Sequence, residues 1–184
     1  MKAGMAGMAL ALVMASGAEA SGLGVCLWSK LSAPERTRVM AAYGRDMGAG
    51  AAALEGLDVK LRAKAAACGA RRDIPALWIQ TIAGSEAVQA SVAATYRLDR
   101  KGLDAAWSAA PPQVAACVRA NARLAFYSNG LGCADPAAPA WLLRRLGLSQ
   151  NQPAARQALY YVNARAIGEW GDTLAARPPA KSPG

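Results

Sequence analysis

Glu86 is the residue of this chain whose type and surroundings best fit acid–base chemistry. It is the only acidic residue between Asp73 and Asp99, and it follows Ile79 and Ala83 on an apolar segment with helical periodicity. A carboxyl group in an apolar setting can keep its proton and act as the general acid of a glycosidic hydrolysis. Glu86 is therefore the candidate catalytic residue of a cell-wall hydrolase. The plainer interpretation is a glutamate at the edge of a helix's buried face.

The residues that the chain lacks exclude several other chemistries. It has no histidine. This absence rules out Ser–His and Cys–His nucleophiles, His-ligated zinc and ordinary haem ligation. Its glycines form neither a GxxxxGK[ST] loop nor a GxGxxG turn that opens a helix, so no nucleotide site is expected. We expect no cofactor and no metal ion, and the sequence favours a non-enzymatic protein.

The four cysteines are predicted to form two disulfides, because an even number in an exported chain is typical of a disulfide framework. Three pairings are possible. If the first two long helices form an antiparallel hairpin, Cys26 lies near Cys68, which leaves Cys117 for Cys133. A helix from Cys117 to Ser128 would be about 16 Å long. The five residues from there to Cys133 span about 17 Å when fully extended, which barely brings Cys133 back to Cys117. The second bridge is therefore feasible only if that helix ends early or its loop runs straight back.

The amino end has the three parts of a secretory signal peptide. Lys2 is followed by an uncharged, largely apolar run over residues 3–18, and small residues Ala18 and Ala20 precede Ser21. This pattern predicts export, with cleavage of residues 1–20 and a mature chain that begins at Ser21. The protein would then be periplasmic or secreted.

Three other interpretations of the amino end fit less well. A permanent membrane anchor needs roughly 20 apolar residues, and this run is shorter. A buried N-terminal helix would have to accommodate Gly4, Gly7 and Gly17, each of which weakens a helix by about 1 kcal/mol relative to alanine. A lipoprotein would use Cys26 as its acylation site. The residue before that cysteine is normally small, whereas this chain has Val25 there.

The mature chain is predicted to be an all-α, disulfide-stapled bundle of about five to seven helices. Alanine is abundant and β-branched residues are few, which favours helix over strand. After a lead segment over 21–31, the predicted helices are 32–47, 51–68, 73–97, 103–109, 112–128, 135–146 and a last one that begins at Ser149 or Asn151 and ends at 176. Gly48 and Gly50 should break the first of these, Gly69 should terminate the second and Gly147 the sixth. The third should be long and central, because its apolar residues from Ile74 to Tyr96 fall within one arc.

Residues 21–176 are expected to form one domain, followed by a disordered Pro-rich tail over 177–184. The longest uncharged stretch of the mature chain, 105–118, is interrupted by Pro111 and Pro112, so no transmembrane segment is expected. The formal net charge is +9. Its cations are dispersed in twos and threes, which is typical of solvated helix faces and also compatible with an anionic partner.

Three functions remain open. The favoured one is a non-enzymatic binding module whose partner is another envelope protein or an anionic envelope component. The second is a basic peripheral protein that binds anionic lipid, lipopolysaccharide or another polyanion. The third is the cell-wall hydrolase with Glu86 as general acid.

Overall fold

The computed structural model describes residues 22–125, 133, 135–150 and 152–175. These residues form nine α-helices, a 3-10 turn at Ala66–Cys68 and no β-strand. The helices are α1 Leu23–Ser29, α2 Ala33–Arg45, α3 Met47–Glu55, α4 Asp58–Ala65, α5 Ala76–Tyr96, α6 Arg100–Ser108, α7 Pro112–Ala125, α8 Ala137–Arg145 and α9 Pro153–Thr173. The prediction of a small all-α fold is confirmed, with a finer division into helices. The predicted signal peptide and the predicted tail lie outside the described residues.

The region between α2 and α4 differs from the prediction. Asp46 ends α2 and its side chain accepts a 2.7 Å hydrogen bond from the Ala49 amide, so a new helix begins at Met47. Gly50, expected to break the helix, lies inside α3. A methyl group at this position would overlap the ring of Tyr43. The glycine is there because the aromatic ring packs against its backbone, a contact that sequence periodicity does not show.

The core is organised around α5 and α9, each of 21 residues. These two helices pack along each other, and α1, α2 and α7 pack around the pair. The approach is close at one point, since a Cβ atom on Gly171 would lie 2.8 Å from Cγ2 of Ile82. Both helices are buried over most of their length, which matches the central position predicted for the first of them.

The first disulfide joins the pair that the predicted hairpin brings together, and the second joins the pair that this left over. Cys26 is joined to Cys68 with 5.6 Å between their Cα atoms, and Cys117 is joined to Cys133 with 5.3 Å. The first bridge ties α1 to the end of the α4 segment, where Gly69 adopts a left-handed φ of 78°. No helix in the described ranges is long and apolar enough to cross a bilayer.

Candidate functional site

Glu86 lies in the middle of α5 with 6% of its surface exposed. It is enclosed by two glycines of neighbouring helices. A Cβ atom on Gly24 of α1 would lie 3.3 Å from Cγ of Glu86, and one on Gly168 of α9 would lie 3.7 Å from its Oε1 atom. The small residues therefore leave just enough room for a carboxylate between three helices.

Each carboxylate oxygen of Glu86 has a neighbour that favours its ionised form. The Gln89 side-chain amide donates to Oε1 at 3.3 Å, and Nη2 of Arg100 lies 3.7 Å from Oε2. Desolvation by burial nevertheless raises the pKa of Glu86, and the charges of Arg100 and Arg165 only partly oppose this shift.

Asp104 extends this arrangement toward α9. The Tyr161 hydroxyl donates to its Oδ1 atom at 2.9 Å, and Nε of Arg165 lies 3.1 Å from the same oxygen. Nε of Arg100 lies 4.0 Å from Oδ2. Burial and the bond to Asp104 raise the pKa of the Tyr161 hydroxyl. We call this set the Glu86 network; its members are Glu86, Gln89, Arg100, Asp104, Tyr161 and Arg165.

The hydroxyl of Ser85, next to Glu86, is also turned inward. It donates to the carbonyl oxygen of Ile82 at 2.7 Å. A serine hydroxyl in a helix can reach the carbonyl three or four residues back, and here the nearer one is used.

The Glu86 network has one property of a general-acid site and lacks another. The raised pKa suits a carboxyl that must stay protonated to donate. A substrate, however, must reach the carboxyl, and Glu86 is buried with its oxygens facing Gln89 and Arg100. The network is thus built mainly from contacts among α5, α6 and α9.

A cleft of about 180 Å³ lies elsewhere, between the α2–α3 junction, α5 and α9. Tyr43, Tyr160 and the half-buried Tyr96 contribute aromatic surface. Arg45 and Arg156 contribute positive charge, and Asp46 contributes one carboxylate, which accepts from the Ala49 amide. Both arginines are exposed, and neither forms an ion pair among the described residues. We call this the Arg45–Arg156 cleft. Glu86 is not among its lining residues.

The acidic residues of the described chain are almost all engaged in holding the fold. Ten of the eleven form ion pairs or accept hydrogen bonds from backbone amides; the exception is Glu55. The ten are Glu35, Asp46, Asp58, Asp73, Glu86, Asp99, Asp104, Asp135, Glu169 and Asp172. Six of the ten already pair with a cation, whereas the four that accept only from backbone amides keep their negative charge.

The cations are engaged much less. Of the basic residues with described side chains, ten are exposed and make neither an ion pair nor a side-chain hydrogen bond within the described part of the chain. These are Lys30, Arg38, Arg45, Lys64, Arg72, Arg97, Lys101, Arg144, Arg145 and Arg156. The signal in the sequence was the net charge of +9. What it could not show is which cations stay free.

The tryptophans are divided between packing and surface. Trp78 and Trp170 meet edge to face at 5.2 Å between α5 and α9, and Trp107 is buried with its indole N–H donating to Glu169 at 2.6 Å. Trp141 of α8 is half-buried and lines a shallow groove with Arg144. Trp78, Trp107 and Trp170 thus belong to the packing of the core.

In the ranges that the structure covers, no group of three or more cysteine, aspartate or glutamate side chains could hold a metal ion. Comparisons of the chain with protein-family models, with curated proteins and with solved structures found no match.

Proposed function

We propose that this chain is an exported, non-enzymatic binding module that holds an anionic ligand in the Arg45–Arg156 cleft. The observation that carries the proposal is the pair of exposed arginines that line one cavity and form no ion pair with any residue the structure describes. Guanidinium groups bind carboxylates and phosphates with directed, charge-assisted hydrogen bonds. The three tyrosines beside them supply apolar surface for the rest of the ligand.

Export is supported by two independent features. The first is the signal-like pattern over residues 1–20, and the second is the presence of two disulfides, which persist in oxidising compartments. The localisation that follows is periplasmic or secreted. The intact mass of exported material tests this: we expect a chain that begins at Ser21. Retention of Met1, or a lipid mass on Cys26, would contradict cleavage by a plain signal peptidase.

The binding proposal is tested by sedimentation of the mature chain with isolated cell envelopes of the exporting cell. We expect the chain to sediment with them, and we expect Arg45→Gln/Arg156→Gln to stay in the supernatant. The matched control is Lys64→Gln/Arg72→Gln, which removes the same charge from two exposed cations outside the cleft. If both double variants bind as the parent chain does, the cleft is not the site.

One observation favours a second candidate, the cell-wall hydrolase. The raised pKa of Glu86 is the direction that a general acid requires. Incubation with purified peptidoglycan, followed by mass spectrometry of released fragments, separates the two functions. The binding module releases nothing. Release by the parent chain that drops about 10²–10⁴-fold in a folded Glu86→Gln variant would establish the hydrolase instead.

A further inference from the structure

A second concave surface lies between α6 and α8. Leu98, Gly102 and Leu148 line it together with Arg145, and Arg145 also lines the adjoining shallow groove that contains Trp141. Because the two depressions share this arginine, they form one surface. We call it the α6–α8 groove.

The lining residues of this groove and of the Arg45–Arg156 cleft come close together in the chain. Tyr96 lines the cleft and Leu98 lines the groove, so a single residue, Arg97, separates them along the chain. Arg97 is exposed and ends α5 with a left-handed φ of 52°. A non-glycine residue in this region is uncommon and often marks a functional position.

Six of the ten unengaged cations line these two concave surfaces or adjoin their lining residues in sequence. We call them the basic band; they are Arg45, Arg97, Lys101, Arg144, Arg145 and Arg156. Two carboxylates are among the lining residues: Asp46 in the cleft, which accepts from the Ala49 amide, and Asp99 in the groove, which accepts from two amides at the start of α6. The six cations outnumber these two carboxylates, and the excess positive charge is available to a partner.

We infer that the ligand is a linear acidic polysaccharide that runs from the Arg45–Arg156 cleft along the basic band to Trp141. This inference rests on the proposed binding function and names its ligand class. A chain with one charge on each sugar matches cations that recur along a path. The faces of Tyr96 and Trp141, both half-buried, offer flat apolar contact to sugar rings.

Two other polyanions fit less well. Insertion into an anionic bilayer needs projecting apolar side chains, but the large exposed apolar residues of the described ranges are Val25, Val59 and Leu77, none of which lines the cleft or the groove. Single-stranded nucleic acid is held by successive aromatic platforms, whereas Tyr43 and Tyr160 of the cleft are buried and the half-buried Tyr96 and Trp141 line separate surfaces.

Retention of the mature chain on immobilised alginate tests the inference. We expect binding that weakens with salt, since each contact releases counterions, and no retention on neutral dextran. Arg144→Gln/Arg145→Gln should bind about tenfold more weakly at low salt and show a shallower salt dependence. The charge-matched control, Lys64→Gln/Arg72→Gln, should stay close to the parent chain. Circular dichroism confirms that both variants are folded, as expected for exposed positions.

Each of the other possible outcomes contradicts a specific part of the proposal. Equal losses in both double variants would mean diffuse charge attraction and no band. Tighter binding to phosphatidylglycerol vesicles or to an oligothymidylate than to alginate would assign a lipid or nucleic-acid ligand instead. If the chain sediments with envelopes but is not retained on alginate, the proposed binding function stands and the polysaccharide ligand is contradicted. If the chain binds neither, both proposals are contradicted.

Discussion

The Nη2 atom of Arg100 lies 3.7 Å from the Oε2 atom of Glu86, so the carboxylate buried in α5 is paired with a half-exposed residue of α6. A charge-assisted hydrogen bond between such groups is normally about 2.7–2.9 Å long. At the longer distance, and with Arg100 still in contact with water, the ion pair compensates little of the desolvation of Glu86. This imbalance explains why the pKa of Glu86 is raised although two arginines are near.

The first prediction concerns the pH dependence of stability at Glu86. Its pKa is higher in the folded chain than its ordinary value of 4.5, so the folded state binds the proton more readily. The ionised form therefore destabilises the fold above the folded pKa, and this cost vanishes below the unfolded pKa. Glu86→Gln removes the titration. We expect the unfolding free energy of the variant relative to the parent to be higher at pH 7 than at pH 4.

Chemical denaturation at both pH values measures this difference. Glu55→Gln is the control, because Glu55 is exposed and has no partner in the described residues. That variant should change the unfolding free energy by the same small amount at each pH. A difference for Glu86→Gln that is constant with pH, or larger at pH 4, would contradict a desolvated carboxylate.

The second prediction has the opposite sign and concerns Glu35. Its carboxylate accepts from the Lys60 ammonium, from the Ser32 hydroxyl and from the Ser32 amide, at 2.6 to 2.8 Å. Led by the Lys60 hydrogen bond, these contacts lower the pKa of Glu35 to about 2. The stabilisation is present above the ordinary value of 4.5 and is lost as the pH falls through about 2. Glu35→Gln should therefore lose more stability at pH 7 than at pH 2.

A Lys60→Met variant separates the contributions at Glu35. It keeps the two bonds from Ser32, so Glu35 should retain a smaller pH-dependent stabilisation than in the parent chain. Denaturation curves at pH 2, 4.5 and 7 measure it. Equal pH profiles for the parent and Lys60→Met would mean that the lysine contributes nothing to the lowered pKa.

Local signals in the sequence predicted much of the fold. The long apolar arc after Pro75 indicated a central helix over 73–97, and α5 spans Ala76–Tyr96. Positive φ angles at Gly69 and Gly147 match their predicted role as helix terminators. The prediction was wrong where a residue's role depends on a tertiary contact. Gly50 was predicted to break a helix, but it lies inside α3 with the Tyr43 ring packed against its backbone.

The candidate sites were harder to predict from the sequence than the helices were. Glu86 could be selected because no other acid lies near it in the chain. Its partners Arg100 and Arg165 could not be identified from the sequence, because they lie on other helices, α6 and α9. The Arg45–Arg156 cleft joins residues from two distant segments, and hydrophobic periodicity carries no information about such pairs. Only the excess of cations pointed toward an anionic ligand.

The third prediction concerns the disulfides, which close loops of different length. The sequence separation is 42 residues for Cys26–Cys68 and 16 for Cys117–Cys133. Chain-entropy arguments give a loss of about 4 kcal/mol of unfolding free energy when the first bridge is replaced by serines, and about 3 kcal/mol for the second. Denaturant titration of the two double-serine variants measures both losses and shows which is larger.

Peptide mapping of the unreduced chain checks the pairing on which that order depends. The expected products are a peptide pair that contains Cys26 and Cys68 and another that contains Cys117 and Cys133, with no free thiol. A peptide that joins Cys26 to Cys133 would refute the packing of α1 against the α4 segment.

The fourth prediction links backbone strain to the proposed binding surface through Arg97. Its left-handed backbone costs a non-glycine residue about 1–2 kcal/mol, and glycine recovers part of this after its larger unfolded-state entropy is subtracted. Arg97→Gly should therefore raise the unfolding free energy by up to about 1 kcal/mol while weakening retention on alginate, because it removes a cation of the basic band. Arg97→Lys keeps both the strain and the charge, so it should match the parent chain in stability and in retention. Denaturation and salt-gradient elution of both variants measure the two effects together. If Arg97→Gly stabilises the chain and leaves retention unchanged, the strained arginine serves no ligand, and the path from the cleft to the α6–α8 groove does not pass through it.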